Sequence, residues 1–271
     1  MPISPQEIEE MSYPDFVGYI NQWNVLPGAY TTLSKWATFS HLGVDSRIIE
    51  LACTSGFSSR ELATLTGCRG IGLDLSHLSV EMARYNLQNY APTVRLEYQC
   101  DDAYTFVPKE KCTHVVVGAS LKFFPDPAKI IKRIVSVYLA DEGFLLAAPF
   151  FITTPIPTIL IEQARSVFGI TITTESYKEV MCLYKGFEII YEDRCVIEEE
   201  TENELRHYCD STIERACRIR NISDGIVKEA MYNRLMRIKL ISNLLRSYQK
   251  FSVLVLRYRS SVYPHRYAEL F

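Results

Sequence analysis

Short apolar runs alternate with helix-like segments between residues 47 and 149. The apolar runs predict strands at 47–52, 70–74, 94–99, 113–118 and 143–149. Between them, apolar side chains recur three and four residues apart, which predicts helices at 58–66, 76–89 and 127–139. A strand–helix–strand alternation at this spacing indicates an α/β fold with a doubly wound, mostly parallel sheet. Ligands of such sheets bind beyond the carboxyl ends of the strands.

Beyond residue 150 the alternation gives way to longer helices. The pattern predicts helices at 156–168, at 175–185 and twice within 199–247, and strands at 187–194 and 251–258. We therefore predict one domain with four parts: an N-terminal helical lid (1–45), the α/β core (46–194), a helical cap inserted before the last strand (195–250), and the last core strand with a tail (251–271).

The composition is that of a folded chain. With 48% hydrophobic and 23% charged residues, 271 residues suffice to bury one large core with an added cap. The eight cysteines include no Cys-x-x-Cys pair and no metal-ligand spacing is present, so we predict neither a disulfide framework nor a metal. No apolar run approaches the roughly 20 residues that span a bilayer, and the N-terminus does not resemble a signal peptide. We expect a cytoplasmic protein with no membrane contact.

Charge is distributed unevenly, although the net charge is only -3. Residues 1–202 carry 16 Lys and Arg against 26 Asp and Glu, a balance of -10, and residues 203–271 carry 13 against 6, a balance of +7. Such a basic segment is compatible with an anion-binding tail. Because its Arg and Lys alternate with Leu, Ile and Met at helical spacing, we interpret it instead as the solvated face of amphipathic helices. The acidic remainder disfavours a nucleic-acid partner.

The turn after the first predicted strand is built from small residues, Glu50-Leu51-Ala52-Cys53-Thr54-Ser55-Gly56. A nucleotide-binding sheet needs small residues here, because backbone N–H groups must approach the ligand. Ala52, Thr54 and Gly56 occupy alternate positions, where a dinucleotide fingerprint has Gly-x-Gly-x-x-Gly. The pattern is too degenerate to predict a dinucleotide, and by itself it is equally compatible with a structural connection.

Two further strand ends carry aspartates. Asp74 ends the second predicted strand, where a carboxylate can accept hydrogen bonds from both hydroxyls of a ribose. Asp101-Asp102-Ala103 follows the third, where a carboxylate can accept from the exocyclic amine of adenine. Each aspartate alone is typical of a turn or helix cap. Features of this kind at three successive strand ends indicate a nucleoside-binding edge.

Together these segments resemble the class I S-adenosylmethionine (SAM)-dependent methyltransferases. The resemblance covers about residues 46–150 and rests on Glu50–Gly56, on Gly72-Leu73-Asp74-Leu75-Ser76 with Met82-Ala83-Arg84, on Asp102-Ala103, and on Val115–Gly118 followed by Ser120–Pro127. It implies SAM as the cofactor. It also implies a sheet of seven strands, whose last strand runs antiparallel between the fifth and the sixth.

The resemblance implies a role for each cofactor-binding candidate. The turn with Glu50, Ala52, Thr54 and Gly56 would face the methionine moiety, Asp74 with Leu75 the ribose, Asp102 and Ala103 the adenine, and Gly118 and Ala119 the sulfonium. Members of the family commonly close an N-terminal segment over the cofactor. This implies that Trp23 and Asn24, beside the turn at Pro27-Gly28, also contact it.

Two departures from the family pattern affect the predicted activity. Ala52 and Ser55 stand where the first motif usually has glycine, and Leu121-Lys122-Phe123-Phe124 replaces the Asn-Pro-Pro-aromatic signature of adenine and glutamine N-methyltransferases. We therefore predict a methyltransferase with a small-molecule acceptor. The altered turn leaves open an enzyme that uses the aminobutyrate arm of SAM and releases methylthioadenosine. A non-catalytic SAM-binding scaffold is a third alternative.

Methyl transfer is an in-line displacement at an activated sulfonium, so the protein mainly aligns the reactants and excludes water. Where the acceptor must lose a proton, Lys122 and Tyr30 are the candidate bases; Lys122 is equally compatible with a solvent-facing helix cap. We expect residues 150–180 and 203–247 to form the acceptor pocket. Arg215, Arg218 and Arg220 would hold a carboxylate or phosphate of the acceptor there.

Overall fold

The computed structural model describes residues 3–23 and 26–265. In this part of the chain eight strands form a single sheet: β1 (Arg47–Leu51), β2 (Arg69–Asp74), β3 (Arg95–Cys100), β4 (Cys112–Gly118), β5 (Leu139–Ala147), β6 (Phe150–Ile152), β7 (Glu188–Val196) and β8 (Gln249–Arg257). Ten α-helices accompany them: α1 (Pro5–Glu10), α2 (Tyr13–Tyr19), α3 (Ala29–Phe39), α4 (Phe57–Thr66), α5 (His77–Tyr90), α6 (Pro127–Arg133), α7 (Thr158–Phe168), α8 (Tyr177–Met181), α9 (Glu202–Arg220) and α10 (Gly225–Leu245). None of these helices combines the length and apolar character needed to cross a membrane.

The order of the strands is β3, β2, β1, β4, β5 and β8, with β7 on the outer edge of β8. Strands β1 to β5 run parallel to one another, whereas β8 is antiparallel to both β5 and β7. The predicted α/β class with a doubly wound, mostly parallel sheet is therefore confirmed. In such a sheet the carboxyl ends of β1 to β4 meet at one edge.

The eighth strand departs from the expected seven. β6 pairs with residues 249–251 of β8, on the same side of β8 as β5, which pairs with residues 254–257. Pro149 lies between β5 and β6 and has no N–H for the ladder, while its carbonyl accepts a hydrogen bond from the Ser252 N–H at 3.0 Å. β6 thus continues β5 after an interruption, so the sheet keeps seven lateral positions.

Two predicted helices are shorter in the structure. The one predicted at 127–139 ends as α6 at Arg133; a π-helical turn follows at Ile134–Tyr138, and β5 begins at Leu139 rather than at residue 143. Leu139 pairs with Cys112 of β4, so the sheet recruits a segment whose local spacing favours a helix. The helix predicted at 175–185 is reduced to α8 and a 3₁₀ turn at Cys182–Tyr184.

The apolar core has three parts. Successive residues of the central strands point to opposite faces of the sheet, so Ile49 and Val115 belong to one buried cluster and Ile48 and Val116 to another. A third cluster lies mainly among helices and joins side chains of α1, α2, α7, α9 and α10. The N-terminal helices therefore share a core with α9 and α10, which enter the chain between β7 and β8, where we predicted the inserted cap. The four-part division itself stays a prediction.

Arginines of the basic segment bind the N-terminal helices through their carbonyl groups. Arg234 of α10 donates to the carbonyls of Ile8 and Met11, at the end of α1. Arg220 of α9 donates to the Tyr19 carbonyl at 2.5 Å, at the end of α2. A cation at a helix C-terminus both satisfies the last carbonyls and interacts favourably with the helix dipole. The basic segment is thus more than a solvated face, because part of its charge fixes the lid.

Candidate active site

The turn between β1 and α4 contains three residues in the left-handed conformation. They alternate along the chain: Ala52 at φ 56°, Thr54 at φ 47° and Gly56 at φ 74°. Ser55 does not share this conformation; it is buried, and its hydroxyl donates to the Gln22 carbonyl at 2.8 Å. An L side chain costs free energy in the left-handed region, so Ala52 and Thr54 are strained positions that a glycine would relieve. Strained backbone of this kind is concentrated at functional sites.

Tyr98 of β3 supports the turn from below, and the sequence analysis missed it. Its hydroxyl donates to the Gly56 carbonyl at 3.0 Å and forms a hydrogen bond with the Ser59 hydroxyl, also at 3.0 Å. A Cβ at Gly56 or at Gly72 of β2 would lie 2.6 Å from an atom of the Tyr98 ring, so both glycines leave room for this side chain. The available signal was the glycine inside a strand, which often marks a close approach.

Glu50 lies beneath the turn rather than on its surface. It is 6% exposed, and its carboxylate accepts the Ser59 N–H in the first turn of α4 at 3.0 Å. Burial raises the pKa of Glu50 to about 7, against the opposing effect of hydrogen bonds from Ser59 and Ser58. A carboxylate at a helix N-terminus is a favourable arrangement, so Glu50 positions the start of α4.

Asp74 connects the turn to the end of β2. Its carboxylate accepts the Thr54 N–H at 2.8 Å and the Ser76 N–H at 2.9 Å, and the side chain is 7% exposed. Burial raises the pKa of Asp74, and the nearby carboxylate of Asp15 adds to the rise. Asp15 belongs to α2 and accepts the Ser76 hydroxyl at 2.6 Å. Next to this network, Leu75 is 70% exposed.

The third strand end supplies a carboxylate with a free oxygen. The Asp101 N–H donates to the Asp74 carbonyl at 3.1 Å, which keeps the ends of β2 and β3 together. Asp102 Oδ1 accepts the Tyr104 N–H at 2.8 Å, whereas Oδ2 makes no hydrogen bond to any residue that the structure describes. Ala103 is buried, and its carbonyl accepts the Tyr138 hydroxyl at 2.5 Å. The structure thus places Asp74, Asp102 and Ala103 at adjoining strand ends.

The end of β4 is covered by the lid. Gly118 is left-handed at φ 52°, and its carbonyl accepts the Ala148 N–H at 2.7 Å. A Cβ at this position would lie 3.4 Å from the Leu26 side chain, so Leu26 lies directly over the strand end. Ala119 follows as the residue before a 3₁₀ turn at Ser120–Phe123. Gly118 and Ala119 therefore complete a row of strand ends that begins at Asp102.

The two candidate bases differ in their surroundings. Lys122 forms an ion pair with Glu175, from the loop before α8, and the two side chains are 25% and 33% exposed. Nothing in the sequence had indicated Glu175. Tyr30 is 60% exposed and donates to Glu61 at 3.4 Å; partial burial and the Glu61 carboxylate raise its pKa above the usual value. The raised pKa makes the Tyr30 hydroxyl harder to deprotonate, and its role as a base stays a prediction.

Trp23 is packed among side chains of three elements. The guanidinium carbons of Arg60 (α4) and Arg215 (α9) lie 5.2 Å and 5.0 Å from the centre of its ring, and Tyr90 meets the ring edge to face at 4.9 Å. Asn24, predicted beside it, lies outside the described residues. Arg215 and Arg220 donate to lid carbonyls, which differs from the acceptor contact expected for them. Within the described residues no three His, Cys, Asp or Glu side chains form a group that would hold a metal.

The comparisons with known proteins agree with the observed fold. Residues 48–141 match a family model described as a methyltransferase domain. An uncharacterized protein of Haemophilus influenzae is 22% identical over 163 residues, which are 59% of this chain and 64% of that protein, so the match spans less than two thirds of that relative.

Two solved structures extend the similarity beyond the matched segment. The MccD protein superposes with a TM-score of 0.69 at 22% identity, over 87% of this chain and 100% of that one. A SAM-dependent methyltransferase from Geobacter sulfurreducens, crystallised with S-adenosylhomocysteine, superposes with a TM-score of 0.66 at 17% identity, over 89% and 96% of the two chains. Similarity at this level of identity is evidence of a shared fold.

Proposed function

We propose that this protein, which has the fold of the class I SAM-dependent methyltransferases, binds SAM at the carboxyl ends of β1 to β4 and methylates a small molecule. One observation carries the proposal: the left-handed residues Ala52, Thr54 and Gly56 form a turn whose Thr54 N–H is bound by Asp74 at the next strand end. A turn of this kind at the start of a helix brings backbone N–H groups to a ligand. The segment that matches the methyltransferase domain contains this turn and the next three strand ends.

The residues present are suited to SAM, which supplies a methyl group on an activated sulfonium. The turn would bind the methionine end, and Asp74 the ribose, since each carboxylate oxygen has acceptor capacity beyond the one backbone N–H that it binds. The exposed Leu75 offers an apolar surface to adenine, and the free Oδ2 of Asp102 an acceptor for its amine. Gly118, which brings no side chain between its backbone and Leu26, would lie beside the sulfonium.

The cover over the strand ends supports a small acceptor. Leu26 lies over β4, and the ion pair between Lys122 and Glu175 joins the end of β4 to the loop before α8. A covered site excludes water and aligns two small reactants, which is what an in-line transfer requires of the protein. Lys122 and Glu175 are the groups that we propose to orient the acceptor or to take its proton.

The first test is product analysis. Purified protein is incubated with SAM, alone and with a metabolite extract, and the nucleoside product is identified by mass spectrometry. We expect S-adenosylhomocysteine to form only when the extract is present. Asp102→Ala should weaken SAM binding roughly tenfold, because it removes a charged hydrogen-bond acceptor. Asp210→Ala, an exposed site on α9, serves as the control and should bind SAM like the wild type. SAM binding without any product under all conditions would refute methyl transfer and favour a scaffold.

The altered turn is also compatible with a second reaction, at the aminobutyrate arm of SAM. Two non-glycine residues occupy left-handed positions where we expect the methionine arm, so the arm is held by an altered turn. An enzyme that attacks this arm, within the cofactor or by an acceptor, releases methylthioadenosine in place of S-adenosylhomocysteine. Methylthioadenosine above the spontaneous background, formed more slowly by the Asp102→Ala variant when SAM is limiting, would establish that reaction instead.

A further inference from the structure

An unusual group of buried polar atoms surrounds Trp23. In the described part of the chain seven buried side-chain nitrogen or oxygen atoms have no hydrogen-bond partner, and four of them belong to Gln22, Trp23, Arg60 and Arg215. Folded proteins leave few such atoms, because an unpaired buried donor or acceptor costs free energy. A concentration of four at one place therefore indicates a ligand that the protein normally holds there.

The unpaired atoms are mainly donors. They are the indole Nε1 of Trp23, Nη1 of Arg60 and Nε of Arg215. The fourth is the amide oxygen of Gln22; rotation of that amide by half a turn exchanges its oxygen for the NH₂ group without changing its shape. Because these N–H groups lack protein acceptors, they favour a ligand whose oxygen atoms can accept several hydrogen bonds.

The positive charge of the group is only partly compensated. Arg60 is 1% exposed, and its one carboxylate partner among the described residues is Glu61, at 3.0 Å. Arg215 forms no ion pair within the described residues, and burial lowers its pKa. Its single hydrogen bond to a residue that the structure describes is to the carbonyl of Asn21, at 3.1 Å. A buried guanidinium without a counterion is costly, and an anion would remove that cost.

The guanidinium groups of Arg60 and Arg215 both lie next to the Trp23 ring. Their carbon atoms lie 5.2 Å and 5.0 Å from the centre of the Trp23 ring, so they are no farther apart than the sum of these distances. Each contributes donors in the planar arrangement that matches phosphate and carboxylate. We propose that Trp23, Arg60 and Arg215 form a binding site for an oxyanion, either a phosphate or a carboxylate group.

The site would connect three parts of the protein. Trp23 belongs to the lid, Arg60 to α4 and Arg215 to α9, and the neighbouring Gln22 carbonyl binds Ser55 in the turn. An anion bound here holds the lid against both α4 and α9. The oxyanion has two possible sources: a free anion in solution, or the carboxylate of the aminobutyrate arm of SAM, and this second source rests on the proposed function.

Inorganic phosphate is the first probe and needs no cofactor. The chain has two tryptophans, so phosphate binding is followed by tryptophan fluorescence and by the melting temperature, with potassium chloride at equal ionic strength as reference. We expect a saturable change in the wild type that Trp23→Phe abolishes in fluorescence. Arg215→Gln should weaken phosphate binding by roughly tenfold or more. Arg206→Gln, an exposed position on the same helix, is the matched control and should bind like the wild type.

A second probe distinguishes the two sources. S-adenosylhomocysteine carries the carboxylate and methylthioadenosine lacks it, so the ratio of their affinities reports on contact with that group. If the cofactor arm occupies the site, Arg215→Gln and Arg60→Lys lower this ratio by roughly tenfold. Phosphate then competes with S-adenosylhomocysteine but not with methylthioadenosine. If a free anion occupies it, phosphate binds and the ratio is unchanged.

The proposal fails on a defined result. It is overturned if phosphate changes neither signal beyond chloride and the affinity ratio is the same in the wild type, Arg215→Gln and Arg60→Lys. Circular dichroism first establishes that each variant is folded; Arg60→Lys keeps the buried charge and so guards against a loss caused by misfolding alone. Binding of phosphate without binding of S-adenosylhomocysteine would refute the proposed function but would still support the oxyanion site.

Discussion

At the turn after β1, backbone conformation rather than residue type is the informative feature. Thr54 is a β-branched residue in the left-handed region, which is a genuine outlier, and Ala52 two residues earlier shares the conformation. The surrounding hydrogen bonds hold them there: the Thr54 N–H donates to Asp74, and the Cys53 N–H to the Leu73 carbonyl at 2.9 Å. The turn is therefore a fixed feature of the fold, stabilised from the neighbouring strand.

Replacing Thr54 with glycine should make the protein more stable. Relief of the left-handed strain contributes about 1–2 kcal/mol, and the greater freedom of glycine in the unfolded chain takes back about 0.4–1 kcal/mol. We expect a net gain of about 0.5–1 kcal/mol in the free energy of unfolding, measured by denaturant titration. The control is Thr64→Gly, an exposed site within α4, which should lose stability because glycine disfavours a helix. Equal losses in both variants would show that Thr54 is not strained.

Glu50 makes the stability depend on pH in a particular direction. Its pKa is about 7 in the folded protein against 4.5 for the free group, so between these values the folded state binds more protons than the unfolded state. The contribution is complete below pH 4.5, falls as the pH rises through this window, and is lost above pH 7.

Replacing Glu50 with glutamine should remove this dependence. Each unit of pKa corresponds to about 1.4 kcal/mol, so the stability of the wild type relative to Glu50→Gln should fall by about 2–3 kcal/mol from pH 5 to pH 8. Denaturant titrations at several pH values provide the measurement. Glu97→Gln, exposed on β3, should follow the wild type at every pH. A difference that does not vary with pH would show that Glu50 is not perturbed.

The lid is docked through helix packing that leaves no room for a side chain. Gly18 of α2 lies against the first turn of α5, where a Cβ would be 2.4 Å from the Ser79 nitrogen and 2.7 Å from the Leu78 carbonyl carbon. Farther along the chain, the buried amides of Asn21 and Asn86 donate to each other at 2.8 Å. Helix α2 is thus held on α5 by the close contact at Gly18 and by a reciprocal pair of hydrogen bonds just beyond its C-terminal end.

Gly18→Ala should loosen the lid while the sheet remains intact. The atoms in the way belong to backbone, which does not rotate aside, so the substitution should cost about 1–3 kcal/mol. Hydrogen exchange should accelerate at 13–21 more than in β1 or β4. Gly43→Ala is the control, because a Cβ there meets nothing within 4 Å. Unchanged exchange at 13–21 in Gly18→Ala would show that the lid does not depend on this contact.

Across the protein as a whole, the opposite charges of the two chain segments are largely paired with each other. Arg237 pairs with Glu9, Arg257 with Glu188 at 2.8 Å, and Arg220 approaches Glu81 at 3.7 Å. Together with the arginines bound to lid carbonyls, these contacts take up much of the excess positive charge after residue 202. In the part that the structure describes, up to residue 265, the basic segment therefore does not present a row of free cations to a polyanion.

We accordingly expect little affinity for nucleic acid. Non-specific binding depends on lysine and arginine side chains that are free to neutralise phosphates. Fluorescence anisotropy with a labelled RNA and a labelled DNA duplex should show dissociation constants weaker than about 10 µM at 0.15 M salt, in the weak part of the non-specific range. Tighter binding with a steep dependence on salt concentration would contradict this and would restore a nucleic-acid acceptor.

Local patterns were enough to predict the framework of this protein. The alternation of strands and helices between residues 47 and 149 depends on side-chain periodicity, which is encoded over a few residues, and the parallel sheet follows from it. The strand-end residues Asp74, Asp102 and Gly118 could be identified for the same reason: their position relative to a strand is a local property. The extra strand β6 and the early start of β5 were not predictable, because pairing across the sheet created them.

Contacts between residues far apart in the sequence determined the remaining features of the candidate site. Glu175 meets Lys122 across 53 positions, and Arg215 meets the lid carbonyl of Asn21 across 194, separations over which spacing carries no signal. The same holds for Tyr98 beneath the turn and for Arg60 beside Trp23. Sequence periodicity fixes which face of an element is apolar, whereas the partner of a buried polar group depends on how the elements pack, and that is where the candidate site and the proposed oxyanion site were found.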